Sequence, residues 1–382
     1  MHLIRTTEEL ANASAALSQA PFVAVDTEFM RESTYWPKLC LVQAAAPGVE
    51  ALIDPLAPDI DLKPFLAVMA KPSTLKVFHA ARQDLEIFLN LMGTLPAPIF
   101  DAQIAAMAVG LGDSVSYDSL VQGMLGRRID KSHRFTDWSR RPLSEAQLAY
   151  ALADVTHLRD LFPLMREKLE SQGRSAWISE ELAALTDPAI YDTAPENAWR
   201  RLKLRKTSAD YLIVLDVAAA WRERQAQARD VPRGRILKDD ALQEIAEQRP
   251  RSAAALDRLR TVPKGFGNSR AGQELVRAID AALSGGRKPP EVERSAPSPS
   301  GLGPTIELLK VLLRAEAEAH GVAPRLIANA ADVEAIAASD DADVPALKGW
   351  RRTLFGEKAL ALKHGELALT IADGKVAVSE VR

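Results

Sequence analysis

Two hydrophobic patterns alternate along the first 170 residues. FVAVDTEF at 22–29 and LCLVQAA at 39–45 are short apolar runs bounded by Pro and Gly, and each reads as a strand; EALI at 50–53 opens a third. Leu62–Ala70 has helical spacing. Leu75–His79 is another short strand, a helix follows through Asp84–Leu91, and residues 99–110 begin a further helical stretch. A last helix starts near Ser144, with Glu145 and Gln147 in its first turn, and runs toward Leu161 ahead of Pro163. Three early strands followed by strand–helix alternation predict an α/β domain with a mixed sheet over residues 1–170.

Beyond a connector at 171–195 the pattern turns helical and basic. AWRRLKLRK leads into ADYLIVLDVAAAWRERQAQARD, then a short loop, another helix, a TVPKGFG loop and a last helix near Gly272–Leu283, which makes one helical module over 196–284. Residues 285–303 are rich in Pro, Gly, Ser and charge and read as a flexible linker. A second helical unit fills 304–382. Its VAPRLIANAADVEAIAA echoes VPRGRILKDDALQEIAE, as in a diverged internal repeat, and LALTIADGKVAVSEV suggests a terminal hairpin.

Composition narrows the function classes. Hydrophobic residues make up 47% of the 382, enough for sizeable cores. The net charge of −3 gives no global basic signature, so any nucleic-acid footprint is a local patch. The single cysteine, Cys40, rules out an intrachain disulfide and a cysteine-built zinc site, which fits a reducing cytoplasm. MHLIRTTEEL has no apolar core of the kind a cleaved leader needs, and no apolar run approaches a membrane span.

Four carboxylates then stand out. Asp26 and Glu28 lie two apart on a strand, so they share a face, next to the apolar FVAV. Carboxylates placed there need a partner, and divalent cations are natural ones; a solvated strand end is the plainer alternative. Asp84 lies near the start of a helix, where a first-turn acid is ordinary. Tyr150 and Asp154 are four apart on a helix with apolar neighbours, hence on one face. His79 reads as a hydrogen-bonded strand-end residue rather than a ligand.

In this order, Asp26-Thr27-Glu28, Asp84 after His79-Ala80-Ala81, and Tyr150-x3-Asp154 resemble the ribonuclease D family, in the tyrosine subgroup of the DEDD superfamily of metal-dependent 3′–5′ exonucleases. Ala80 stands where Asn is common, a departure that removes no ligand. The helical units resemble HRDC domains, the second one degenerate, so the resemblance spans nearly the whole chain. It implies a ribonuclease H-like exonuclease domain followed by two HRDC-like domains. It also implies hydrolysis with two divalent ions, Mg²⁺ or Mn²⁺, about 3.5–4 Å apart. Asp26 would bridge them, Glu28 and Asp154 would complete one site, Asp84 would hold the other partly through water, and Tyr150 would position the attacking water. The expected products are nucleoside 5′-monophosphates from the 3′ ends of precursor tRNAs and other small structured RNAs, released by a monomeric enzyme with no obligatory protein partner.

Local basic clusters are the candidate RNA contacts. Arg127, Arg128, Lys131, Arg134, Arg140 and Arg141 flank Phe135 and Trp138, a pattern that offers phosphate contacts and a ring to stack on a base. A second cluster of Arg200, Arg201, Lys203, Arg205 and Lys206, a third of Arg233, Arg235 and Lys238, and Lys264 in the KGFG loop extend the set, with a solvated surface as the plainer alternative. A DNA-directed proofreading exonuclease shares the metal chemistry and is the main rival; a non-catalytic nucleic-acid scaffold predicts a missing acid, and none is missing.

Overall fold

The computed structural model describes residues 2–130, 132–133, 136–292 and 301–381. The chain forms two compact units, one of Met1–Glu28, Leu41–Asp187 and Ser295–Arg382, the other of Phe29–Cys40 and Pro188–Arg294.

In the first unit, β1 (Leu3–Ile4), β2 (Phe22–Met30), β3 (Lys38–Ala46), β4 (Val49–Ile53), β5 (Leu75–Phe78) and β6 (Ile99–Asp101) make a sheet of order β1-β4-β3-β2-β5-β6. It is mixed: β1 runs parallel to β4, β5 to β2 and β6, while β3 and β4 are antiparallel. The helices are α1 (Thr7–Leu17), α2 (Lys63–Ala70), α3 (Arg82–Met92), α4 (Ala102–Ala108), α5 (Tyr117–Leu125), α6 (Glu145–Ser171) and α7 (Ser179–Leu185). β1 and α1 are additions to the expected elements, with Thr6 and Glu9 forming the capping box that starts α1, and residues 99–101, read as the start of a helix, instead form β6, since Asp101 caps α4 only from Ala102 onward.

One sheet face packs on α6. Phe22, Ala24, Val77 and Phe100 meet Val155, Leu158, Phe162 and Met165, with the Phe162 ring 4.6 Å from Phe22 and 5.0 Å from Phe100. This explains why α6 continues to Ser171 instead of stopping ahead of Pro163. An interior proline costs about 3 kcal/mol. Burying Phe162, Met165 and Leu169 on the same face returns roughly 1.5–3 kcal/mol each.

The second unit is helical: α8 (Ala209–Arg229), α9 (Arg233–Ile236), α10 (Asp239–Gln248), α11 (Ala253–Asp257) and α12 (Arg270–Ser284). Trp199, Tyr211, Leu215, Trp221, Leu242 and Leu275 belong to its core. The Tyr211 hydroxyl donates to Gln243, whose amide donates to the Lys203 carbonyl at 2.9 Å.

The C-terminal helices α13 (Gly303–His320), α14 (Pro324–Ile327), α15 (Ala330–Ala338), α16 (Gly349–Arg351) and α17 (Glu357–Lys363), with the hairpin β7 (Leu367–Ala372) and β8 (Lys375–Glu380), fold back into the first unit. Gly110 and Gly321 show how close the approach is: a Cβ at Gly110 would lie 2.4 Å from the Gly321 carbonyl oxygen. The Arg174 guanidinium donates to Ala108 O at 2.8 Å, Gly321 O at 2.9 Å and His320 O at 2.5 Å. Arg351, 2% exposed, pairs with Glu180 and with Glu181 at 2.9 Å. Trp350 lies flat on Trp177, with ring centroids 4.2 Å apart and 1° between the planes. Trp350→Ala is therefore expected to lower unfolding stability by roughly 2–3 kcal/mol in a denaturant titration; a loss under about 0.5 kcal/mol, within the usual surface range, would mean the stack holds nothing.

Candidate active site

The site grows out of the packing of β2 on α6. Because side chains alternate along a strand, Asp26 and Glu28 project on the same side as the buried Phe22 and Ala24, toward α6. On α6, Asp154 continues the stripe of Leu158, Phe162 and Met165, and Tyr150 sits one turn earlier. Carboxylate oxygens of Asp26, Glu28 and Asp154 consequently come within 4.8 Å of one another. Asp84 stands in the first turn of α3, which begins just past the end of β5, the strand paired with β2; it feels the charge of Asp26 but is not one of the three acids whose oxygens converge. The Thr27 hydroxyl donates to Asp84.

Electrostatics sets what this cluster can do. Burial pushes the Asp26 carboxyl up to about 6. Burial, and then the charge of Asp26, lifts Asp84 well above the ordinary carboxylate range. Burial leads both shifts, and like charge adds to that of Asp84, so a cation in this oxygen-only donor set would relieve them. The residues fit a hard divalent cation. Tyr150 is shifted upward by burial and then by Asp154, Glu28 and Asp26, and its hydroxyl bonds to Asp154, so it keeps its proton at neutral pH.

Three supporting residues escaped the sequence reading. Tyr117 donates its hydroxyl to the Asp154 backbone carbonyl, and the His79 ring packs against it at 5.1 Å. Asp101, 2% exposed, accepts the amides of Ala80 at 3.1 Å, Ala81 at 2.8 Å, Gln103 at 2.7 Å and Ile104 at 3.3 Å. Its charge is thus taken up by two backbone turns rather than offered to a metal. One of those turns carries Ala80 in the left-handed region at φ 58°. Thr27 is the third, since it holds Asp84 from the face of β2 opposite Asp26.

Several expected RNA contacts are committed elsewhere. Trp138 is 2% exposed, with its ring 6.1 Å from Tyr150, and in that position it cannot stack on a base. Arg141 grips the buried Asp54 at 2.6 and 2.9 Å, while Arg127 pairs with Asp160 at 2.6 Å. Arg201 and Arg233 both serve the buried Glu223, at 2.7 and 2.6 Å, and the Arg200 guanidinium lies 5.2 Å over Trp199. Arg128, Arg140 and Lys264 are exposed. Lys131, Arg134 and Phe135 lie outside the described residues.

Comparison with known proteins bears on the family. Residues 1–170 match a 3′–5′ exonuclease family model and residues 213–279 match the HRDC domain. The chain is 53% identical to ribonuclease D of Nitrobacter hamburgensis, over 98% of both chains. It is 49% identical to ribonuclease D of Granulibacter bethesdensis, over 98% of this chain and 95% of that one. Among solved structures it is similar to Escherichia coli RNase D, described as an exoribonuclease involved in structured RNA processing. The TM-score is 0.81 at 30% identity, covering 95% of this chain and 99% of that one.

The left-handed Ala80 gives a direct test of the turn that delivers Asp84. A left-handed alanine costs roughly 1–2 kcal/mol, and glycine gives back part of that through its freer unfolded chain. Ala80→Gly should therefore raise stability by about 0.5 kcal/mol in thermal melting. A destabilised variant would mean that the turn does not carry this strain.

Proposed function

The chain belongs to the ribonuclease D family of 3′–5′ exoribonucleases, and from that premise we propose that Asp26, Glu28, Asp84 and Asp154 hold its divalent ions and that Tyr150 orients the attacking water. The enzyme is a hydrolase that shortens RNA from the 3′ end and depends on divalent metal. The observation that carries the residue assignment is the convergence of the Asp26, Glu28 and Asp154 oxygens within 4.8 Å.

When bound, two divalent ions would lower the pKa of the attacking water and stabilise charge on the departing 3′ oxygen. Mg²⁺ and Mn²⁺ both suit oxygen-only donors. The carboxylates supply the negative charge that would hold the ions. Burial and the charges of Asp154, Glu28 and Asp26 favour the protonated Tyr150 hydroxyl, which can orient a water by hydrogen bonding. Water adds to phosphorus, the P–O3′ bond breaks, and the released product is a nucleoside 5′-monophosphate. Precursor tRNAs and other small structured RNAs are the proposed substrates, in line with the structured-RNA role of the Escherichia coli relative. We further place the enzyme in the cytoplasm as a monomer; no helix among the described residues is long and apolar enough to cross a membrane.

Precursor tRNA labelled at its 5′ end should shorten progressively, while a 3′ label leaves at once as mononucleotide. EDTA should stop both and Mg²⁺ or Mn²⁺ restore them; internal cleavage, or faster attack on matched single-stranded DNA, would overturn the substrate assignment. Asp26→Ala and Asp154→Ala should each reduce kcat by about 10³-fold with the fold intact. Tyr150→Phe should cost roughly 10–100-fold with Mn²⁺ affinity nearly unchanged, and wild-type turnover would remove Tyr150 from the mechanism. Because Asp26 titrates near 6, protons compete with the ion below that value. Calorimetry should show Mn²⁺ affinity weakening as pH falls through about 6 and levelling off above about 7.

A further inference from the structure

α6 carries two residues of the site, and its own sequence weakens it for that task. Tyr150 and Asp154 lie in its first half, with Pro163 beyond them. Proline has no amide proton to give the Arg159 carbonyl, so the helix lacks a rung between the half that bears the site and the buried stretch Phe162–Leu169. Helices bend at such places, and also where a side chain enters the ladder of i→i−4 bonds.

α5 supplies a tether at the turn that matters. The Tyr117 hydroxyl donates to the Asp154 carbonyl, and the Leu158 amide bonds the same hydroxyl. That carbonyl and that amide are the acceptor and donor of one i→i−4 step, so a single phenol bridges the rung that begins at Asp154. Tyr117 is held in turn. It opens α5, its ring packs against the apolar cluster that contains Val155 and Leu158, and the His79 ring lies 5.1 Å away at 53°. Two residues earlier the Val115 carbonyl accepts from Gln103 at 3.2 Å and bonds the His79 ring. All of these residues belong to the first unit. One neutral hydrogen bond is a small part of a domain's stability, so this one governs the course of α6 rather than its existence.

We infer that Tyr117 is a positioning residue for the exonuclease reaction: its hydroxyl, bridging the Asp154–Leu158 rung, sets the turn of α6 on which Asp154 meets Asp26 and Glu28. Ligand groups must be held to about 0.5 Å for full function, and Asp154 is the one member of the converging trio that comes from α6. The inference rests on the assignment of Asp154 as a ligand.

The test uses the full chain and Tyr117→Phe, which keeps the ring and removes only the hydroxyl. Leu169→Ala is the control, a buried residue of the same helix beyond Pro163, whose loss loosens packing away from the bridged turn. Kinetics on a single-stranded RNA oligonucleotide, Mn²⁺ titration calorimetry and thermal melting are measured for each. Tyr117→Phe should weaken Mn²⁺ binding about fivefold and lower kcat about tenfold, with KM within about twofold. Leu169→Ala should lower the melting temperature further than Tyr117→Phe does, with Mn²⁺ affinity and kcat within about twofold of wild type. Mn²⁺ affinity and kcat within about twofold of wild type in Tyr117→Phe, or an equal loss in Leu169→Ala, would overturn the inference. If Tyr117→Phe does not fold, His79→Leu decides, since it removes the ring beside Tyr117 and leaves the hydroxyl: losses of about threefold in both quantities support the role, and wild-type values overturn it. Asp154→Ala separates the two layers. If it keeps Mn²⁺ binding and turnover, the ligand assignment itself fails; if it loses both while Tyr117→Phe behaves as wild type, only the positioning role fails.

Discussion

The constraint on which the rest depends is the crowding of carboxylates in a buried place. Asp26, Glu28 and Asp154 meet within 4.8 Å, and Asp84 feels the charge of Asp26. Without a cation such a group resists ionisation, and the shifts on Asp26 and Asp84 record that resistance. A loose scaffold would relax by moving the acids apart. Here β2 and α6 are locked by the Phe22, Phe100 and Phe162 rings, Asp84 is held by Thr27, and the Asp154 turn is held by Tyr117. The apolar core therefore preserves an electrostatic arrangement that would disperse if it were free to do so.

What the sequence made legible follows from short-range rules. Strand period put Asp26 and Glu28 on one face, and the four-residue helical step put Tyr150 beside Asp154. The mixed sheet and the terminal hairpin were visible in the same way. Interactions joining distant positions were not. Nothing local announces that Asp101 serves four amides, that Arg141 is claimed by Asp54, or that Trp138 lies buried near Tyr150. Pro163 misled because a local penalty was outweighed by burial along the rest of α6. The Thr6–Glu9 capping box marks α1, a local signal that the sequence reading passed over.

Basic residues teach a related point. A run of arginines in sequence suggests a track for phosphates, yet Arg127, Arg141, Arg201 and Arg233 are each engaged by an acid of the fold. Arg128, Arg140 and Lys264 remain exposed and are the better candidates for RNA. Counting charges along a chain says how much positive potential exists, whereas the pairing decides how much of it faces solvent.

The KGFG loop at 264–267 and the KGW segment at 348–350 place their aromatic residues differently. Phe266 in KGFG packs against the core of the helical unit, while Trp350 in KGW lies on Trp177, in the short turn Ser175–Ile178 that follows α6. Two indoles held parallel at 4.2 Å do not absorb as independent chromophores. Their transitions couple, and removing either ring should change the near-ultraviolet absorption by more than the loss of one isolated indole. The seating of the C-terminal helices on the exonuclease core thus has an optical signature built into the native sequence, readable without any label.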